Sequence, residues 1–445
     1  MVTMPISEAM LRRIDRRAAR SVREARTATL PRVDVSALIH DLDLDVYALE
    51  LRFAKLDGDI GTITFPRSLS ATPHEIVRQL LDAGALLPND RKTATELVQA
   101  SLTTEAPDTR ETTRRGGWHG PSFVTPSRTY GPASGRLQFV GTPAADPGIG
   151  LRSGSFEGWR EGMREPCSAS SFLTFGLGIG FAGPLLDPLG EDEGAVFNFF
   201  GYSSGGKTLV ARCLHSQAGR ARSSDLATYG ITLRGAEELC FARNDGAVVF
   251  DEESRANGSV EKRRESIRTL AFMVPSGRGT IRSERVGRKH DLPNLTWRVF
   301  GLSSGEKPLE EPGARRVAGE QVRHVDIKIP DTSRGGIFDL IEGENEERGR
   351  EGARLAGLVE ATLAAHYGLA RGRYLRRLTA ERASLGPEIT QIVEEFIAAV
   401  GADTQAWERR LARKFGIVMA GATLAAQWQV APFTPECPSD KGTWG

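Results

Sequence analysis

The residues from Gly201 to Thr208 have the types and the spacing of a phosphate-binding loop. They read Gly-Tyr-Ser-Ser-Gly-Gly-Lys-Thr, between apolar runs over 195–200 and 209–214. This order predicts a strand, a glycine-rich turn and a helix, which is the context that such a loop requires. Glycines let backbone N–H groups close around phosphate oxygens, and the helix directs the positive end of its dipole at the anion. The alternative is a plain glycine turn. We expect a nucleotide to contact Gly201, Ser203, Ser204, Gly205, Gly206, Lys207 and Thr208.

A second motif supplies the acidic groups that hydrolysis needs. The run Ala247-Val-Val-Phe is followed by Asp251 and Glu252, which is typical of a buried parallel strand that ends in carboxylates. Lys207 would bind the β- and γ-phosphates of ATP, and Thr208 with Asp251 would hold Mg²⁺. Glu252 would activate the attacking water as a general base. The alternative is that these carboxylates only cap the next helix.

A third apolar run, over 297–302, predicts another strand next to the acidic one. It leads into Ser303 and Ser304, which are candidates for sensing the γ-phosphate, with a simple turn as the alternative.

Arginines precede the last predicted strand, 324–330. Ring-forming ATPases place there a finger that reaches the nucleotide of a neighbouring subunit. The candidates are Arg316 and Arg323, with Arg315 third; the alternative is a surface arginine paired with Glu311 or Glu320.

A strongly basic segment, 276–290, lies between the acidic strand and the third strand. Its glycines and alternation predict a hairpin, and it contains a single acid, Glu284. Such a hairpin could follow the backbone of single-stranded DNA by phosphate contacts, because no aromatic side chain is interleaved for base stacking. A solvated loop is the equal alternative. The cationic side chains are Arg278, Arg282, Arg285, Arg288 and Lys289.

Composition limits the other possibilities. The chain has 445 residues, 40% hydrophobic and 26% charged, with a formal net charge of +1, so no global field recruits nucleic acid. The four cysteines form no Cys-x-x-Cys pair, which argues against zinc. The N-terminus is arginine-rich where a signal peptide would be apolar, and the most apolar stretch, 172–186, is too short to span a bilayer. We therefore expect a cytoplasmic protein without membrane contact.

Local patterns predict the remaining elements. A hairpin over 45–65 should turn at Asp57-Gly58, and Thr72 should open a helix with a capping box, before a second helix over 92–102. A buried helix is expected over 168–186, and four helices over 344–367, 374–383, 387–400 and 404–429. The expected divisions are a basic helical arm (1–30), a small α/β module (31–110), a strand-rich linker region with a buried helix (111–192), an ATPase domain (193–345), a helical domain (346–432) and a tail (433–445).

Several stretches together resemble a known family, the helicase-like P-loop ATPases of phages and integrative elements called domain-of-unknown-function family nine-two-seven. The resemblance implies an ATPase that is often linked to a primase. The departure is Glu253, where an apolar residue often follows the acidic pair. The matching stretches are Gly116-Gly-Trp-His, Gly158-Trp-Arg, Gly201-Tyr-Ser-Ser-Gly-Gly-Lys-Thr, Asn244-Asp245 before Phe250-Asp-Glu, Leu302-Ser-Ser-Gly-Glu, Ala318-Gly-Glu-Gln-Val-Arg-His-Val-Asp-Ile and Arg413-Lys-Phe-Gly.

These observations predict an α/β protein with a P-loop NTPase core of the additional-strand, catalytic-glutamate type (RecA/AAA-like). A small α/β region would precede it and a helical domain would follow. The predicted function is a Mg²⁺-dependent ATPase, a helicase-like motor that acts on single-stranded DNA in replication of a mobile genetic element. We expect a homo-oligomer, with a hexameric ring as one form. The alternative is a nucleotide-gated switch or assembly ATPase that regulates a protein partner, and a small-molecule kinase is disfavoured because no acceptor-binding motif occurs.

Overall fold

The computed structural model describes residues 33–141, 146–251, 260–280, 294–308, 322–402 and 405–434. Helices and strands both occur throughout them, so the chain has the mixed α/β class that the sequence predicts. It divides after Thr112 into two units, Met1–Thr112 and Thr113–Gly445. In the described ranges, no helix combines the length and the apolar character needed to cross a bilayer.

The first unit is a sheet covered by two helices. Strands β1 (Val33–Asp41), β2 (Val46–Ala54) and β3 (Ile60–Pro66) are antiparallel, and β4 (Thr109–Thr113) runs parallel to β1. Helices α1 (Pro73–Asp82) and α2 (Arg91–Leu102) bury their apolar side chains in the same core as the strands. The predicted hairpin is confirmed, because β2 and β3 pair on either side of Asp57-Gly58, where Gly58 has φ +91°.

The capping box predicted at Thr72 is wrong, although the helix that it was meant to begin is present as α1. The Thr72 side chain accepts no hydrogen bond from the helix. Its hydroxyl donates instead to the carbonyl oxygen of Leu69, at 3.3 Å, which the short 3₁₀ turn Arg67–Ala71 brings within reach. Pro73 has no N–H to satisfy, so this helix start depends less on a capping side chain.

The second unit begins with a small antiparallel sheet and two helices. The sheet consists of β5 (Gly117–His119), β6 (Ser122–Thr125) and β7 (Arg128–Tyr130), and a short strand, β8 (Leu137–Phe139), follows. Helix α3 (Phe156–Ser168) precedes α4 (Ser171–Ala182). The buried helix predicted over 168–186 is therefore shorter than expected, since Ser170 ends the previous turn and caps α4 by accepting from the Leu173 amide at 3.0 Å.

A parallel sheet of five strands forms the centre of the second unit. Its members are β9 (Val196–Phe200), β10 (Ala227–Thr228), β11 (Gly246–Asp251), β12 (Val299–Gly305) and β13 (His324–Lys328). Their order across the sheet is β10-β11-β12-β9-β13, and every pair is parallel. All five carboxyl ends therefore meet at one edge of the sheet.

Each face of this sheet has its own hydrophobic core. On one face Phe197, Val249 and Leu302 pack with α4 and with α5 (Lys207–Ser216). On the other face, Val196 and Phe250 pack with α6 (Leu233–Ala242) and α7 (Val260–Ser276). Because side chains alternate along a strand, neighbouring residues of β9, β11 and β12 belong to different cores.

The C-terminal part is helical, as predicted, but it contains a longer helix than expected. Helices α8 (Asn345–Ala365), α9 (Ala370–Ala399) and α10 (Ala406–Gln427) follow β13. The break predicted between residues 383 and 387 is wrong, because α9 runs through Pro387. Proline removes one helical hydrogen bond, and Pro387 lies on the exposed side of α9, where water can serve the freed carbonyl group. Helix α10 packs against α4, and both contribute to one core.

Candidate functional site

The loop between β9 and α5 has a backbone shape that depends on glycine. Gly206 has φ +92°, and a Cβ atom there would lie 2.7 Å from the side chain of Ile337. Gly201 also has a positive φ, +152°, whereas Ser204 adopts +67° with a side chain present. The side chains of Ser203 and Ser204 are exposed. A glycine is therefore required at 206 both for its conformation and for its contact with Ile337.

Lys207, the first residue of α5, places its ammonium group inside the loop. Its Nζ donates to the carbonyl oxygens of Gly201 (2.8 Å) and Tyr202 (2.7 Å). Partial burial lowers the pKa of Lys207, against the opposing influence of the Glu306 and Asp251 carboxylates. The ammonium group is thus held by neutral carbonyl groups that a bound anion could replace.

Thr208 and Asp251 come together although they are far apart in the sequence. The Thr208 hydroxyl donates to Asp251 Oδ1 at 3.0 Å, and Asp251 is buried at the carboxyl end of β11. Ser304 Oγ also hydrogen-bonds to Asp251 Oδ1, from the central strand β12. A hydroxyl and a carboxylate oxygen beside a lysine match the oxygen ligands that Mg²⁺ prefers. These two residues could therefore hold the metal.

Ser303 and Ser304 lie on opposite faces of the sheet, because they are neighbours on β12. Ser303 Oγ donates to Asn198 Oδ1 at 3.0 Å and lies 2.6 Å from the Tyr229 hydroxyl. Asn198 Nδ2 in turn donates to Asp326 Oδ1 at 2.7 Å. Both serines were candidates for the same role, but only Ser304 contacts the acidic side chain at the loop.

The structure places two of the remaining candidates and leaves others undescribed. Arg323 forms an ion pair with Glu193, with distances of 2.9 Å from Nε and 2.8 Å from Nη2. Arg278 is exposed, and its segment pairs in antiparallel fashion with Thr296. The candidates that lie outside the described residues are Glu252, Arg282, Arg285, Arg288, Lys289, Arg315 and Arg316.

Sequence reasoning missed the polar residues that connect the strands. Asn198 lies within an apolar run, which predicts a strand but not a hydrogen-bonding role, and Asp326 lies in an alternating strand. Ile337 was also missed, although its amide donates to the carbonyl oxygen of Gly205 at 3.1 Å. The one signal available was the alternation of side chains, which puts Asn198 and Phe200 on the face opposite to Phe197 and Phe199.

Comparison with known proteins identifies the family. The family described as Domain of unknown function (DUF927) matches residues 12–291, which is more than half of the chain. The chain belongs to this family. No curated protein matches it.

A solved structure described as "SCCmec type IV Cch - active helicase" is similar to this DUF927 protein, with a TM-score of 0.64. The likeness covers 90% of this chain and 70% of that one at 15% identity, so it shows a shared fold. A second structure, "The A form apo structure of NrS-1 C terminal region-CTR", has 12% identity and covers 89% of this chain and 88% of that one. Its TM-score is 0.28, which is too low to support an argument.

Two of the stretches that carried the family resemblance contact each other in this DUF927 protein. The Trp118 amide donates to Asp245 Oδ2 at 3.0 Å, and Asn244 Nδ2 donates to the carbonyl oxygen of Gly116 at 3.1 Å. A Cβ atom on Gly117 would lie 2.5 Å from the carbonyl oxygen of Asn244. These contacts fix the small sheet to the beginning of β11, the strand that carries Asp251.

The described residues of the DUF927 protein contain no cluster of three or more histidine, cysteine, aspartate or glutamate side chains that could hold a metal ion by themselves. A metal at Thr208 and Asp251 would therefore take most of its ligands from water and from a bound phosphate. Mg²⁺ commonly binds in this way, with one or two protein ligands.

Proposed function

We propose that this protein is a Mg²⁺-dependent ATPase. The observation that carries the proposal is the hydrogen bond of 3.0 Å between Thr208 and Asp251, beside the glycine loop and Lys207. It joins the helix after the loop to the acidic strand across the additional strand β12, which lies between β9 and β11. A plain glycine turn would not need a buried carboxylate at this position.

Each described residue has a role in this proposal that follows from its position. The loop amides and Lys207 would bind the β- and γ-phosphates, and Mg²⁺ would lie against Thr208 and Asp251. Glu252, which follows Asp251 in the sequence, would activate water. Ser304 is the better candidate for sensing the γ-phosphate than Ser303, because Ser304 shares the oxygen of Asp251 that Thr208 also contacts.

We further propose that ATP hydrolysis drives a helicase-like oligomer on single-stranded DNA, in replication of a mobile element and with a primase as its functional partner. The fold shared with an active helicase supports this proposal. The basic segment 276–290 would contact the DNA backbone, and its described end, Arg278, is exposed. Arg323 would have to leave Glu193 to reach a neighbouring subunit, whereas Arg316 is the other candidate for the arginine finger.

The first experiment tests hydrolysis. ATP turnover should require Mg²⁺ and fall by about 10²-fold or more in Lys207→Ala, because the ammonium group stabilises the phosphates as their charge changes. Lys92→Ala, at an exposed lysine of α2, is the matched control and should keep full activity. Equal turnover in the two variants would contradict the proposed site.

The second experiment tests the action on DNA. Single-stranded DNA should stimulate turnover. A triple variant in which glutamine replaces Arg282, Arg285 and Arg288 should lose the stimulation but keep its basal turnover. The matched control neutralises three exposed arginines of the helical part, namely Arg350, Arg376 and Arg410. A protein that stays monomeric with nucleotide and is not stimulated by DNA would refute the motor and leave the nucleotide-gated switch.

A further inference from the structure

A buried arginine near the start of α9 has no partner for its charge. The Arg371 side chain is 8% exposed, and its guanidinium group makes no hydrogen bond or ion pair with the residues that the structure describes. Its Nη2 atom lies against Gly246, where a Cβ atom would approach to 2.7 Å. A buried charge without a partner costs several kcal/mol, so a compensating group is expected.

Polar groups around Arg371 leave hydrogen bonds unmade. The hydroxyl of Tyr374 and Nδ1 of His215 are buried without a hydrogen-bond partner in the described parts of the chain. Arg243 is the second guanidinium nearby, and burial together with this like charge lowers the pKa of Arg371 to about 9. The cluster therefore offers two guanidinium groups and a phenol O–H, whereas Nδ1 of His215 accepts in the neutral tautomer whose Nε2–H donates to Asp146.

The nearest carboxylate is already occupied. Asp146 Oδ1 lies 2.6 Å from His215 Nε2, and Asp146 Oδ2 accepts from Arg243 Nε at 2.8 Å. Asp146 thus faces two guanidinium groups with both of its oxygens engaged. Asp225, the other carboxylate that lines the smaller cavity, is already paired with Arg220 at 2.8 Å. An additional negative charge is needed to balance Arg371.

Space for such a charge exists beside the same residues. Two small cavities, of about 10 and 30 Å³, are both lined by Arg243 and Arg371. The larger one also reaches Tyr130 and Gly372 at the N-terminus of α9, where a Cβ atom on Gly372 would lie 2.7 Å from the Tyr130 hydroxyl. No side chain caps this 30-residue helix, so the positive end of its dipole adds to the attraction for an anion.

We propose that this cluster binds a small inorganic anion of about the size of chloride. A water molecule would fit the space and satisfy the hydrogen bonds, but it would leave the second guanidinium charge uncompensated. The ion would lie between Arg371 and Arg243 and accept from the phenol of Tyr130, which lines the larger cavity. Larger anions such as gluconate do not fit cavities of this size.

The anion site lies at the amino edge of the sheet, opposite the glycine loop. His215 belongs to the last turn of α5, the helix that begins at Lys207, and Gly246 begins β11, the strand that ends at Asp251. The Arg371 amide donates to the carbonyl oxygen of Gln217, just after α5, at 2.9 Å. A bound anion therefore holds the far ends of α5 and β11 and the beginning of α9 together.

The test is the unfolding of the full chain in sodium gluconate, chloride and bromide at one ionic strength. The folding equilibrium constant should increase tenfold for each tenfold rise in halide above the dissociation constant, because the halide binds only the folded state. Arg371→Met should remove this dependence, and in gluconate the variant should be at least as stable as the wild type. The matched control is Arg376→Met, at an exposed arginine of the same helix, which should keep the dependence.

A second variant and a bromide soak test the same site independently of Arg371→Met. Tyr130→Phe keeps the charge but removes one donor that lines the larger cavity, so it should weaken the halide dependence even if Arg371→Met fails to fold. A crystal soaked in bromide should show an anomalous peak beside the Arg371 guanidinium. Identical unfolding in gluconate and chloride, unchanged halide dependence in Arg371→Met, or only water at the site would overturn it. Lys207→Ala should retain the dependence, because the site does not involve the nucleotide loop.

Discussion

The partly buried hydrogen bond between Asn198 and Asp326 allows a prediction with a calculable pH dependence. Asn198 on β9 is fully buried, and its Nδ2 donates to Asp326 Oδ1 at 2.7 Å while its Oδ1 accepts from Ser303 Oγ at 3.0 Å. Asn198→Asp preserves the size of the side chain but replaces the donor amide with a carboxyl oxygen. At neutral pH two carboxylates would then face each other at hydrogen-bond distance.

The expected loss of folding stability arises because the two facing carboxyl groups of the variant must keep one proton between them. Two carboxylates in contact cannot both ionise, so the pKa of the introduced carboxyl is raised in the folded state. An unfolded aspartate ionises at about pH 3.9, and each pH unit above that costs the folded variant about 1.4 kcal/mol. The variant should therefore lose about 1.5 kcal/mol at pH 5 and, as the upper limit, about 4 kcal/mol at pH 7. Below pH 4 the variant should be about as stable as the wild type, and it should become less stable than the wild type as the pH rises.

Urea unfolding followed by tryptophan fluorescence measures this loss in the second unit alone, because all six tryptophans lie beyond Thr112: Trp118, Trp159, Trp297, Trp407, Trp428 and Trp444. Ser303→Ala is the control, since it removes a neutral hydrogen bond and should cost about 1 kcal/mol at every pH. A penalty for Asn198→Asp that does not change between pH 5 and pH 7 would refute the reasoning.

Three further changes test other contacts. Ser304→Ala should lower ATP turnover about tenfold with little change in melting temperature, because it removes one bond to Asp251 at the proposed site; unchanged turnover would exclude that role. Burial would raise the pKa of Asp146, but Arg243 and His215 lower it to about 2. The wild type should therefore lose about 2 kcal/mol as the pH falls from 4 to 2, and Asp146→Asn should be less stable at pH 7 without that acid-dependent loss. Gly357→Ala, in α8, should raise the stability by about 0.5–1 kcal/mol in thermal unfolding, since a Cβ atom there meets no other atom within 4 Å; a decrease would contradict the helical conformation of Gly357.

Local sequence patterns were sufficient for the elements that carry the loop and the acidic residue. The apolar run before Gly201 forms β9, the run before Asp251 forms β11, and α5 begins at Lys207. These features depend on neighbours in the sequence, so composition and spacing predict them. The contact between Thr208 and Asp251 follows once the carboxyl ends of β9 and β11 are known to meet at one edge of a parallel sheet.

Features that depend on the strand order or on local solvation were beyond such patterns. Ser303 and Ser304 were expected just after the third strand, at its end, with a turn as the alternative, but β12 extends to Gly305 and includes both. Pro387 was expected to begin a separate helix, but an exposed proline costs α9 one hydrogen bond and leaves its apolar face in the core. The anion site could not be foreseen, because Arg371 and Arg243 come from distant parts of the sequence.

Because β12 is the central strand, its two adjacent serines form hydrogen bonds to other strands on both faces of the sheet. Ser304 bonds to Asp251 on one face, and on the other face Ser303 begins a hydrogen-bonded row through Asn198 to Asp326. Asp326 lies on β13, the edge strand that Arg323 directly precedes. A shift of β13 that accompanied release of Arg323 from Glu193 would therefore be carried through these hydrogen bonds to the strand that holds Ser304. This row connects the edge where a neighbouring subunit would act to the carboxylate beside the glycine loop, and it passes through residues that the nucleotide motifs alone do not include.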